Sequence, residues 1–101
     1  MNVLFICNQN QNRSKTAEQL FKRKFKTKSA GLYNPRPVTK EQFKWADTII
    51  VMEAEQRAEL GKRFPSLYLQ KKILSLDIPD IYSYNQPELA TLIRSKTSEL
   101  L

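Results

Sequence analysis

An α/β domain with a parallel sheet and helices on both faces is what this sequence predicts. Two observations carry the expectation. Four short apolar runs alternate with segments whose apolar residues recur at helical spacing, and strands separated by helices pair in parallel. The 101 residues, 41% of them hydrophobic and without repeat or low-complexity segment, suffice for one core but not two, so a single domain over 1–101 is expected.

Each element has its own reason. Val3-Leu4-Phe5-Ile6 is a short β-branched and aromatic strand run, and the helix expected over Arg13–Phe25 repeats apolar residues at Ala17, Leu20, Phe21 and Phe25. A short strand is expected near Lys28–Leu32. Thr39 and Gln42 have the spacing of a capping box and open a helix near Lys40–Ala46. Strand Thr48–Met52, helix Ala54–Phe64 and strand Lys72–Leu76 follow. Pro87 suits the first turn of a last helix, Pro87–Leu100. Sheets of this kind bind ligands beyond the carboxyl ends of their strands, where the strand order reverses.

The segment after the first strand is the most informative. Cys7-Asn8-Gln9-Asn10-Gln11-Asn12-Arg13-Ser14 joins a strand to a helix, where unpartnered backbone N–H groups and the positive end of the helix dipole form an anion site. That field favours a thiolate. Arg13 adds a planar fork of donors able to grip two phosphate oxygens, and Ser14 can donate its hydroxyl to the sulfur. Phosphate loops usually use glycine where φ must be positive; this one has Asn8, Asn10 and Asn12, the residue type best tolerated there after glycine. The competing reading is a small buried cysteine ending a strand, with Arg13 and Ser14 starting a helix.

Composition narrows the chemistry. The chain has one cysteine and no histidine, which excludes an internal disulfide, a multi-cysteine or histidine-ligated metal site, and nucleophiles activated by histidine. A working Cys7 would rely on its loop, and any general acid would be a carboxylate. Such carboxylates follow the fourth strand, in Leu76-Asp77-Ile78-Pro79-Asp80-Ile81-Tyr82, on the sheet edge where Cys7 emerges. A carboxylate there could protonate a leaving oxygen, an effect worth about 10²- to 10⁴-fold, or simply cap the following turn.

The net charge of +7 is uneven: residues 1–45 carry ten Lys or Arg against two acids, residues 46–101 seven against eight. Lys22-Arg23-Lys24, with Lys26 and Lys28, reads either as a solvated face or as a docking surface, and the field attracts anions in both cases. Phosphoproteins are served by it, as is nucleic acid, the less favoured partner. No apolar run reaches the length of a membrane span or of a signal-peptide core, so a soluble cytoplasmic protein is expected.

The chain resembles the low-molecular-weight protein tyrosine phosphatase family. CNQNQNRSKTAE is similar to that family's cysteine, five residues, Arg-Ser, then Ala-Glu, and matches at Cys7, Asn10, Arg13, Ser14, Ala17 and Glu18. Ser29-Ala30-Gly31 resembles its second-strand motif, and Val38-Thr39-Lys40-Glu41-Gln42-Phe43 with Ala46-Asp47-Thr48-Ile49-Ile50-Val51-Met52 resembles its helix and third strand. The resemblance implies a flavodoxin-like four-stranded sheet of order 2-1-3-4, a phosphocysteine intermediate, and no metal or cofactor. It further implies Cys7 as nucleophile, a phosphate-binding loop over Asn8, Gln9, Asn10, Gln11, Asn12, Arg13 and Ser14, and Asp80 as acid, with Asp77 as the alternative. Substrates would be aryl phosphates or phosphorylated proteins, with Tyr33 and Tyr82 as substrate walls.

Several positions depart from that pattern. Lys15 replaces a proline, Asn12 stands where many members have a second cysteine, the Gly31–Thr39 connection is short, and Asp80 follows a proline instead of preceding one. Without a second cysteine, Cys7 lacks a partner for a protective disulfide under oxidation. Two other functions fit parts of the sequence. One is a phosphocysteine carrier of the sugar phosphotransferase IIB type, against which Arg13 and the acidic segment argue; the other is a phospho-ligand or nucleic-acid binder without chemistry.

Overall fold

A computed structural model describes residues 1–100. The elements run β1 (Asn2–Cys7), α1 (Arg13–Phe21), β2 (Lys26–Gly31), α2 (Lys40–Trp45), β3 (Thr48–Val51), α3 (Ala54–Arg63), α4 (Pro65–Gln70), β4 (Lys72–Ser75) and α5 (Pro87–Leu100). The four strands form one sheet in the order β2-β1-β3-β4, every pairing parallel. The order expected from the family resemblance is the order found.

Alternation along β1 explains the two-layered covering. Leu4 and Ile6 point into a cluster with Phe43 of α2 and Leu60 of α3; Val3, Phe5 and Cys7 point into a second with Ala17 of α1 and Leu89 and Ile93 of α5. Both sheet faces are dry, so β1 and β3 read as continuous apolar runs and not as alternating ones. β2, at the edge, alternates toward solvent and carries its lysines there. The chain leaves β1 toward one side of the sheet and β3 toward the other, which opens a crevice at their carboxyl ends.

Three expectations are corrected. The first helix stops at Phe21, not Phe25: Lys24 N and Phe25 N both donate to Phe21 O at 2.9 Å, and Lys26 N then donates to Met1 O at 3.1 Å, pulling the chain into the sheet. Lys22-Arg23-Lys24 therefore forms a turn, and β2 begins at Lys26 instead of Lys28. The third difference is an addition, since no element is expected between Phe64 and Lys72: α4, a six-residue helix, begins with Pro65 at its first turn and packs Leu67 and Tyr68 against the first cluster. Thr39 and Gln42 do form the capping box, Thr39 Oγ1 accepting from Gln42 N at 3.2 Å and Gln42 Oε1 from Thr39 N at 2.9 Å.

Candidate active site

The loop after β1 is seated by β2. Gly31 pairs with Cys7, and just beyond it Leu32 N and Tyr33 N donate to Asn8 O at 3.0 and 2.9 Å. A Cβ at Gly31 would collide with the Asn34 side chain and stand 3.0 Å from the Asn8 carbonyl oxygen, so glycine is what lets the two segments approach.

Within the loop, the asparagines divide their work. Asn10 has φ 54° and is the loop's one residue in the left-handed region; Asn8 and Asn12 do not share that conformation. Asn10 N donates to Cys7 Sγ at 3.2 Å, and Asn10 Oδ1 accepts from Ser14 Oγ at 2.7 Å. Ser14 Oγ lies 3.0 Å from Cys7 Sγ. The sulfur is thus met by one backbone donor, Asn10 N; the single Ser14 hydroxyl proton is given to Asn10 Oδ1, and turning that hydroxyl toward the sulfur would add a second donor to a negative charge there. Asn8 Oδ1 accepts from Gln56 Nε2 at 3.0 Å, and Asn12 O accepts from Thr16 N at 3.0 Å and Thr16 Oγ1 at 2.7 Å.

Arg13 is 1% exposed and held from two elements. Its Nη1 donates to the Glu53 carboxylate, just after β3, and to the Ile78 carbonyl at 2.7 Å, just after β4. Its Nε lies 3.7 Å from Asp80 Oδ1, whose side chain is 57% exposed. Burying a guanidinium is costly unless it is paired, and here Nη1 is paired twice while Nε lies toward Asp80 and the crevice.

That crevice holds a hollow of ≈ 40 Å³ lined by Cys7, Gln9, Gln11, Asn12, Arg13 and Asp80. Since a water requires about 10–15 Å³ on this measure, the space takes three or so water-sized atoms: a tetrahedral anion's head, and no ring. Asp77 is placed elsewhere. It has φ 55°, accepts from Ser75 Oγ at 2.8 Å, and lines a separate surface hollow with Glu53, Glu55 and Pro79, because Leu76 N and Ile78 N are tied to Val51 O and Met52 O and turn its side chain outward. Neither tyrosine lines the small hollow: Tyr33 is exposed beside the Arg63 guanidinium, 5.2 Å from its ring centroid, and Tyr82 packs half-buried against the second core cluster. No group of three or more Cys, Asp or Glu among the described residues could hold a metal ion.

Glu53, Gln56 and Thr16 escaped the sequence reading. Gln56 is 2% exposed; its Oε1 caps Met52 N and Glu53 N at 2.8 and 3.0 Å while its amide reaches Asn8. Thr16 Oγ1 also accepts from Asn85 N at 2.9 Å, joining α1 to the segment that carries Asp80. The rule that places ligands beyond strand ends applies to β3 as much as to β4, and applied there it marks Glu53.

A parallel sheet of this order with a strand-to-helix loop at the end of β1 is the fold of the low-molecular-weight protein tyrosine phosphatases. Solved structures bear this out across the whole chain. A low-molecular-weight protein tyrosine phosphatase from T. tengcongensis superposes with TM-score 0.79 at 24% identity, covering 100% of this chain and 99% of that one. The YwlE arginine phosphatase from Geobacillus stearothermophilus gives TM-score 0.78 at 22% identity over 98% of this chain and 92% of that one. A YwlE cysteine-to-serine mutant with a phosphorylated active-site serine gives 0.78 at 20%, over 99% and 95%. No protein-family profile and no curated protein sequence matches the chain.

Proposed function

We propose that this protein is a metal-independent, cysteine-dependent phosphatase that hydrolyses aryl phosphate monoesters, protein phosphotyrosine among them. The observation that carries the reading is that Cys7, Arg13 and Asp80 line one hollow sized for a phosphoryl group. The Cys7 thiolate attacks phosphorus, the P–O bond to the ring breaks, and Asp80 gives its proton to the departing phenolate oxygen. The Nε–Nη2 edge of Arg13, the side Asp80 approaches, holds two phosphoryl oxygens while Glu53 and the Ile78 carbonyl fix Nη1. A water then attacks the phosphocysteine, Asp80 takes its proton, the S–P bond breaks and inorganic phosphate leaves; the Ser14 hydroxyl, turning from Asn10 Oδ1, donates to the sulfur as charge returns to it.

The phosphorylated serine of the YwlE mutant supports a covalent step at this position of the fold. One cysteine without a partner, and no helix among the described residues long and apolar enough to cross a membrane, support work in the cytoplasm. The chain should turn over 4-nitrophenyl phosphate in the presence of a chelator, and Cys7→Ser should lose that activity at least ~10⁴-fold with the fold intact. Turnover that survives the substitution would sink the reading. A stable phosphocysteine with no phosphate released would indicate a carrier instead.

A second reading changes only the leaving group. The hollow's rim is polar throughout, with Gln9, Gln11 and Asp80 and no ring, and YwlE is an arginine phosphatase. Phosphoarginine would leave as a guanidine, protonated at nitrogen by Asp80. Phosphate release from matched phosphotyrosine and phosphoarginine peptides decides between the two.

A further inference from the structure

The opposite edge of the sheet holds a second hollow of ≈ 400 Å³, within the range of about 300–1,000 Å³ of small-molecule pockets. Its walls come from the beginnings of strands. Met1 precedes β1, Phe25 precedes β2 and Lys72 opens β4, while Thr97 and Ser98 come from the last turns of α5. The length of β1, six residues rising about 3.3 Å each, separates this place from Cys7.

Two chemistries line it. Phe21 and Phe25, with ring centroids 6.0 Å apart and planes tilted by 38°, form an aromatic wall, and Phe5 stacks behind Phe21 at 5.9 Å. Lys24 and Lys72 are the charged side chains of the lining, and neither is in an ion pair among the described residues. Thr97 is 3% exposed, and its Oγ1 finds no hydrogen-bond partner among the described residues. That oxygen is itself closed off from solvent, so Thr97 gives the hollow a wall and no accessible donor.

We propose that this hollow binds a small aromatic anion, its ring against Phe21 and Phe25 and its acid group met by Lys24 and Lys72. Rings favour offset or edge-on contact with other rings, which an aliphatic body would not exploit. The carboxyl end of α5 brings a partial charge of about −0.5, which two lysines exceed. The chain's one cysteine lies at the other edge. The site is independent of the phosphatase reading.

Anilinonaphthalene sulfonate tests it on the folded full chain, by fluorescence and by amide chemical shifts. Binding should move the resonances of residues 21–25, 72, 97 and 98 and leave 7–14 in place. The uncharged analogue phenylnaphthylamine should bind about tenfold more weakly, and the sulfonate should lose about the same in a Lys24→Gln/Lys72→Gln double variant. Absent binding, shifts centred elsewhere, equal affinity for the two probes, or unchanged sulfonate affinity in the double lysine variant would each overturn the proposal.

Discussion

The segment from Asn8 to Asn12 is fastened to the end of β2, α1 and α3, whereas the one from Pro79 to Tyr84 is held by the half-buried Tyr82 ring, the 3.7 Å approach of Asp80 to Arg13 and the local Ser83–Gln86 hydrogen bonds, with Tyr84 beside α1. Asp80, Ile81 and Tyr84 are exposed, Ile81 by 73%. The difference matches the demands of the proposed chemistry. Donors that hold a transferring phosphoryl group gain by costing no reorganisation at the moment of reaction. A carboxylate that serves a leaving oxygen first and a water afterwards needs reach more than rigidity.

Substitutions break that contrast from either side. Arg13→Lys removes the planar fork and the anchored edge together; kcat/KM should fall by about 10²- to 10³-fold, with a lower midpoint in urea unfolding. Asp80→Ala should separate substrates: about 10²-fold slower on phenyl phosphate, a poor leaving group, and only a few-fold slower on 4-nitrophenyl phosphate, with stability within about 0.5 kcal/mol of the parent. Equal losses on both esters would remove Asp80 from the role of acid. In the rigid loop, Asn10→Ala forces a Cβ residue other than asparagine into the left-handed region and frees Ser14, costing about 2 kcal/mol, whereas Asn10→Gly keeps the backbone and should cost about 1 kcal/mol. Thr16→Val cuts the tie between α1 and Asn85 and should cost about 1 kcal/mol, with a few-fold loss confined to the poor leaving group.

Much of this was legible along the chain. The apolar runs Val3–Ile6 and Thr48–Val51, the Thr39–Gln42 cap and Pro87 announce elements through local chemistry that tertiary packing leaves unchanged. The end of α1 was not, since Phe25 keeps the helical spacing and is turned aside by pairing of Lys26 beside Met1, a contact between distant residues. Six residues of α4 are too few to display a period. At the site, Cys7, Arg13 and Asp80 share a hollow because the strand ends bring them there; Glu53 and Gln56 read locally as the polar start of a helix, and only the adjacency of β1 and β3 makes them partners of Arg13 and Asn8.

The lone cysteine on the floor of the small hollow has a practical consequence. Every thiol-directed reagent has one address on this chain, so the mass added by an alkylating agent counts sites without a substrate. The rate at which that mass appears, with and without inorganic phosphate, converts occupancy of the hollow into a clock that runs on the unmodified protein and needs neither turnover nor a label.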